Sequence, residues 1–451
     1  MAWLVDRVRA LSERYGRVTL VVLAAILVLG LGLRAYSAIE PVANPADDSH
    51  AYYALSKALY EEGSYGGPTF RDSSDWSPGA PLLYAASFYA TGGPREGTAR
   101  IVEALLGVAA IAVVFLLGAR LAGTSAGLIA AFAVAVYPPF IHSTGELTSE
   151  PAAIFTLPAA VLAFLWACER QRLRAWLLPG FLFGLTALIR PEYLVVAVAF
   201  ALLAAIRVGR ERGWRPGLAG AALLVAALLV PIVPWTVRNA VVLGRVVPIS
   251  TGGGKALYVG TFYPADGEYQ RVKAILYKRY DGKSLPPDSQ ALNEVDPVPL
   301  FNRVAEHYPH LPRDSALGKV GKQNFSRYFG EDPIGYLAMT ARKVGRMWSS
   351  GVGEAMSSTA GRVAQLLIVA LALAGLGLLA WRRRWWELIA IATPIVIVTV
   401  VGAASLAAPR RNEVLMTLAF PLAAAVLAWG WGWTRDRGRE PHPAAQSGTQ
   451  A

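Results

Sequence analysis

Apolar stretches of about 20 residues with few charges, the length that crosses a ~30 Å hydrocarbon layer as a helix, recur along this chain. They fall near 18–37, 98–119, 124–140, 151–168, 174–189, 191–207, 216–235, 361–381, 386–407 and 413–433. Lipid offers no water to unpaired backbone groups, so such stretches must be helical. Hydrophobic residues make up 54% of the 451 and charged residues only 16%, with mean hydropathy +0.39, more apolar surface than a soluble core can hide. The expected architecture is an all-α polytopic membrane protein of about ten transmembrane helices.

Short loops that stay on the cytoplasmic side are rich in Lys and Arg. Arg7, Arg9, Arg14 and Arg17 precede the first stretch; Arg170, Arg172 and Arg174 follow the fourth; Arg207, Arg210, Arg212 and Arg215 follow the sixth. Arg382, Arg383 and Arg384 follow the eighth, and Arg435, Arg437 and Arg439 the tenth. Every cluster precedes the first crossing or follows an even one, which predicts both termini in the cytoplasm. Most of the formal net charge of +12 is thereby accounted for as topology, and no nucleic-acid partner is needed. The first stretch is too long, and too weakly followed by small residues, to be a cleaved signal peptide.

The same alternation puts residues 38–97 and 236–360 outside. The expected organisation is a membrane module over 1–235 that includes outer loop 38–97, an extracytoplasmic domain over 236–360, and further spans over 361–433. The tail at 434–451 reads as disordered. Cys168 is the one cysteine, which rules out an internal disulfide, and no Cys/His spacing suggests zinc.

"NPADDSHAYYALSKALYEEGSYGG" follows the first stretch. Tyr52, Leu55, Leu59 and Tyr60 recur at helical spacing, predicting an amphipathic surface helix with Asp47 and Asp48 at its start. One of them, or Ser49, can cap it. A carboxylate at the lipid boundary also loses hydration and binds a proton more readily, as suits a general base. A second surface segment, "SPGAPLLYAASFYATGG", is too short to span and is interrupted by Pro78 and Pro81.

These two segments resemble the first outer loop of the GT-C glycosyltransferases. Further likenesses come in order: "ARIVEALLGVAAIAVVFLLGARLAG", "YPPFIHSTGELTSEP", "GLTALIRPEY", "PWTVRNAVVLGRVVPISTGGGKALYVG" and, near the end, "APRRNEVLMTLAFP". The nearest relatives look like the bacterial branch of the dolichyl-phosphate-mannose protein mannosyltransferase family, which includes lipid A aminoarabinose transferases. The resemblance covers residues 1–260, and beyond them only the hydropathy profile and the last of these segments.

The resemblance implies an enzyme that moves a sugar from a polyprenyl-phosphate-linked donor to a protein, lipid or glycan acceptor on the far side of the bilayer, with inversion. The proton-accepting role falls on Asp48, because Tyr52 stands four residues later, with Asp47 as alternate. Glu150 in "LTSEP" gains an assisting role from its family position, although Ser149, Glu150 and Pro151 also make an ordinary helix start. Glu146 is a weaker rival. His142 and His50 read as polar surface.

Arginines on the outer side run against the topological bias and need another explanation. Arg190, Arg238, Lys255, Arg410 and Arg411 lie at outer span ends or just beyond, and are candidates for the donor phosphate. Arg190 can equally snorkel to head groups, and Trp235 beside Arg238 can be an interfacial aromatic. No cofactor is required, since arginines can neutralise the leaving group; a divalent metal on Asp47 and Glu150 is the alternative. "TGGGKA" is not a phosphate loop, because Ile249 and Ala256 replace the residues it needs, and it reads as a flexible turn. "NFS" at Asn324 fits a glycosylation acceptor only weakly. Some relatives carry a basic residue where this chain has Ser77, so a phosphate site here must rest on other arginines.

A transporter or flippase of lipid-linked saccharides would also have about ten spans. It would place ionisable residues or broken helices near the bilayer midplane, often with internal repeats. The spans here read as almost wholly apolar, which favours catalysis at the outer face.

Overall fold

The computed structural model describes residues 13–40, 47–66, 74–170 and 172–437. Arg7, Arg9, Arg439 and all of the expected tail beyond Arg437 lie outside the described residues, as do the side chains of Asp47, Arg435 and Arg437.

Described elements are helices, with no strand among the described residues. In chain order they are α1 (Arg17–Ile39), α2 (Asp47–Glu62), α3 (Gly79–Thr91), α4 (Glu96–Ala122), α5 (Thr124–Val136), α6 (Pro138–His142), α7 (Glu150–Glu169), α8 (Leu177–Ile189), α9 (Tyr193–Arg212) and α10 (Trp214–Leu243). There follow α11 (Gly253–Thr261), α12 (Tyr269–Asp281), α13 (Gln290–Asn293), α14 (Pro297–Ala305), α15 (Arg313–Glu331), α16 (Pro333–Ser349), α17 (Glu354–Ser357), α18 (Thr359–Trp381), α19 (Trp385–Ala404) and α20 (Pro409–Arg437).

Among the described residues, eight helices are long and apolar enough to cross a membrane, or nine if the pair α5 and Pro138–Gly145, bent by 53°, counts as one span. The remaining expected crossing is the shorter apolar helix Leu173–Ile189, whose first turn, Leu173–Trp176, is 3₁₀. The chain is thus a multi-pass, all-helical membrane protein. α7 and α20 form the inner layer, with 72% and 67% of their apolar windows buried, whereas α1, at 17%, runs along the outside. Small residues allow the close packing. Gly180 and Gly184, one turn apart on α8, lie against the Leu224 and Leu228 carbonyls of α10, where a Cβ would collide with backbone.

α2 and α3 form as the apolar pattern predicts. Tyr52 and Leu55 are buried, and Tyr52 packs edge-on to Trp76 at 5.6 Å. Pro81 does not interrupt α3; it sits in the first turn, where its missing N–H has no intrahelical partner to lose. α10 runs on to Leu243, past the boundary expected at 235. Helices α11, α12, α14 and α15 then share a core of Tyr258, Val272, Leu276, Phe301 and Leu317, while Met347 of α16 and Met356 of α17 pack into the main core. "TGGGKA" is not a loose turn. It opens α11, because Gly254 lies against the Asp314 backbone while Asp314 accepts from the Gly254 and Lys255 N–H groups at 2.8 and 3.1 Å.

The spans are less apolar inside than expected. Arg34 is fully buried and donates to the Gly30, Val134 and Ala135 carbonyls; Glu103, Gln365, Asn412 and Glu413 are also buried. These polar groups lie within about two turns of the helix ends where Asp48 and Glu150 sit, so the deep middle of the bundle keeps its apolar character.

Candidate active site

Helix ends at one level of the bundle bring four separate segments together. Asp48 stands in the first turn of α2, Glu150 opens α7, Arg190 follows the last residue of α8, and Arg410 and Arg411 lie in the first turn of α20. Glu150 is placed there by the helix start that Pro151 imposes.

Arg410 binds two carboxylates at once. Its Nε and Nη2 donate to Glu150 Oε1 and Oε2 at 2.9 and 3.0 Å, and its Nη1 donates to Asp48 Oδ2 at 2.7 Å. Arg190 closes the other side, with Nη1 to Glu150 Oε1 at 2.8 Å and Nε to Glu192 Oε1 at 3.1 Å. Glu150 is almost wholly enclosed, while the Asp48 side chain remains 30% exposed and its Oδ1 bonds to no described residue. Glu150 is therefore an anchor for guanidiniums, and Asp48 is the carboxylate an incoming group can reach. Burial works against the charge on Arg190, but Glu192 and Glu150 outweigh it and raise its pKa above the ordinary guanidinium value. The enclosed Tyr52 hydroxyl is pushed above its usual pKa by burial and then by Asp48 and Glu150, so it stays protonated.

Asp48 does not act as a plain helix cap, since its carboxylate turns to Arg410. Ser49 bonds to the Glu146 carbonyl instead. His142 Nε2 lies 3.3 Å from Glu146, which makes Glu146 a partner of His142. Asp47 begins α2, but its side chain lies outside the described residues.

The five candidate cations part company. Arg190, Arg410 and Arg411 share the site; Arg411 Nη1 is enclosed and has no hydrogen-bond partner among the described residues. Arg238 lies apart on α10, over the rings of Tyr65 and Trp235, and donates to the Tyr65 carbonyl at 2.6 Å. Lys255 lines a separate small cavity with Asp75, Arg313 and Asp314.

Sequence reasoning passed over Glu192, which stands two residues from Arg190 inside "IRPEY". It also passed over the buried Glu413 and over Glu103, which bonds to the Tyr84 hydroxyl and accepts from Thr148 N–H at 3.1 Å. Carboxylates within or beside apolar stretches are the signal that would have found them. The divalent-metal alternative pairs Glu150 with Asp47, whose side chain lies outside the described residues, while both Glu150 oxygens are taken up by Arg410 and Arg190. Among the described residues no group of three or more His, Cys, Asp or Glu is placed to hold a metal.

Residues 75–235 match the sequence family described as dolichyl-phosphate-mannose-protein mannosyltransferase, a stretch that includes Glu150 and Arg190 but neither Asp48 nor Arg410. The archaeal oligosaccharyltransferase AglB from Archaeoglobus fulgidus, solved with an inhibitory peptide and a dolichol-phosphate, superposes with TM-score 0.55 at 15% identity over 97% of this chain. The chain shares the fold of that oligosaccharyltransferase. The apo oligosaccharyltransferase from the same organism agrees, with TM-score 0.54 at 16% identity over 93% of this chain and 52% of its own. The chain spans about half the length of AglB, 53% of it. ArnT from Cupriavidus metallidurans, bound to undecaprenyl phosphate, aligns over 93% of this chain and 78% of its own at 14% identity, but its TM-score of 0.39 is too low to bear on the fold. No curated protein matches in sequence.

Proposed function

We propose that this chain is an integral-membrane glycosyltransferase that takes a sugar from a polyprenyl-phosphate carrier and passes it, with inversion, to an acceptor hydroxyl on the extracytoplasmic face. The observation that carries this reading is the reachable Asp48 carboxylate held 2.7 Å from Arg410 within a cluster of guanidiniums, in a fold shared with an oligosaccharyltransferase. Both termini then lie in the cytoplasm, and the helices α11 to α17 form an outer domain over the site. The acceptor is a protein, lipid or glycan.

In this mechanism Asp48 takes the proton from the acceptor hydroxyl as its oxygen bonds to the anomeric carbon. The bond from that carbon to the phosphate oxygen breaks on the opposite side, and polyprenyl phosphate departs with the electron pair. Arg410 links the two events. Protonation of Asp48 removes one of its anionic partners just as the leaving phosphate gains charge, which frees one edge of the guanidinium for that phosphate. Arg411, with its unpartnered Nη1, and Arg190 supply further positive charge, while Glu150 holds Arg410 and Arg190 in place. These residues do the work without a bound metal, so transfer should survive a chelator.

The test uses the full chain in detergent with polyprenyl-phosphate hexoses and pentoses, following release of polyprenyl phosphate in the presence of acceptor membranes. Wild type should release it with at least one donor, and Asp48→Asn should lose about 10²-fold or more while inserting and purifying normally. Unaltered transfer by the variant would reject Asp48 as base. Transport of intact donor across vesicles without sugar release would reject the enzyme altogether.

A further inference from the structure

At the opposite end of the bundle, about 30 Å from Glu150 along α7, the chain builds a cationic pocket. It is a cavity of about 330 Å³ lined by Trp166, Arg170, Arg172, Arg174, Leu177 and Leu178. A topological bias explains arginines at this end of a span, but not three of them around one cavity. None of the three forms an ion pair with a described carboxylate. The acid next to them in sequence, Glu169, turns instead to Arg120 at 2.7 Å. Arg170 lies over the Trp166 ring, 4.9 Å from its centre, which orients one guanidinium at the pocket wall. The 3₁₀ turn Leu173–Trp176 leads into α8 here and adds the positive end of a helix.

The pocket is also half apolar. Trp166, Leu177 and Leu178 are 38%, 41% and 49% exposed on helices that lie in the bilayer, so its lip is where acyl chains run. A ligand that satisfies both halves carries a phosphate and a hydrocarbon tail. We propose that this pocket binds the phosphate head group of an anionic phospholipid from the leaflet at this end of the bundle, with the arginines on the phosphate and Trp166, Leu177 and Leu178 against the first methylenes. The site is independent of the chemistry assigned to Asp48.

Native mass spectrometry of the purified full chain, titrated with dioleoylphosphatidylglycerol, tests this. The R170Q/R172Q/R174Q variant should retain the lipid about tenfold less than wild type, whereas R382Q/R383Q, which removes exposed charge from another loop at the same end, should leave it unchanged. If the triple variant does not purify folded, R172Q/R174Q is read in its place. Equal losses in both sets would mean diffuse charge attraction and overturn the pocket. Equal retention of dioleoylphosphatidylcholine would show that the pocket does not select an anionic head group and would overturn the proposal. Displacement of the lipid by millimolar inorganic phosphate would make the ligand a soluble anion instead.

Discussion

Arg410 grips Glu150 through two guanidinium nitrogens, at 2.9 and 3.0 Å, although 260 residues separate them. The planar fork matches the carboxylate, and the third nitrogen is left to reach Asp48.

That geometry predicts different failures for neighbouring substitutions. Glu150→Gln leaves two guanidiniums without their enclosed anion and should lower stability by about 3 kcal/mol, read as a drop in melting temperature in detergent. Asp48→Asn, at a partly exposed pair, should change stability by about 1 kcal/mol or less. A melting temperature that falls equally in both would mean that Asp48 is structural.

Arg410→Lys keeps the charge and loses the fork. Sugar transfer should fall about 10²-fold with little change in the donor concentration needed for half-maximal rate, because the lost contact is one that strengthens as the phosphate leaves. Full activity in this variant would show that a point charge is enough.

Tyr84 of surface helix α3 bonds to the buried Glu103 of α4 and donates to the Thr148 carbonyl at 2.7 Å, two residues before Glu150. Tyr84→Phe leaves Glu103 and the Thr148 carbonyl without their shared partner and should cost about 1–3 kcal/mol. Thermal unfolding measures it, and an unchanged melting temperature would mean that water replaces the hydroxyl.

Lys343 of α16 is fully buried and donates to the Gly260 and Ala403 carbonyls at 2.7 and 2.9 Å, fastening the outer helices to the end of α19. Burial, chiefly, and then Arg346 and Arg411 lower its pKa from 10.5 to about 8. Between these values the unfolded chain holds a proton that the folded chain has released, so this group makes stability rise with pH across the window. The melting temperature of wild type minus that of Lys343→Met should therefore increase from pH 8 to pH 10; a flat difference would mean that the ammonium is retained on folding.

Much of the fold was legible beforehand because its signals are local. A run of apolar residues long enough to cross the bilayer is a property of consecutive positions, and so are the start of α7 at Glu150–Pro151 and the apolar stripe of α2 around Tyr52 and Leu55. The placement of charged residues at one end of the bundle was readable to the same extent, since Glu150, Arg190 and Arg410 each stand at or beside the end of an apolar stretch. Glu192, Glu103 and Glu413 were not singled out, because within an apolar segment one acidic residue does not reveal which neighbour it meets.

The sequence by itself determined that this chain lies in a membrane, where its helices run and which residues stand at their ends, because hydrophobic length and helix capping depend on neighbours along the chain. Only the tertiary structure decided that Arg410 and Arg190 converge on Glu150 while Arg238 settles over Tyr65 and Trp235 and Lys255 faces Asp314. Ion pairs between helices are set by side-chain packing and by the close approaches that residues such as Gly180 and Gly184 permit. Hydropathy along the chain carries no record of those distances.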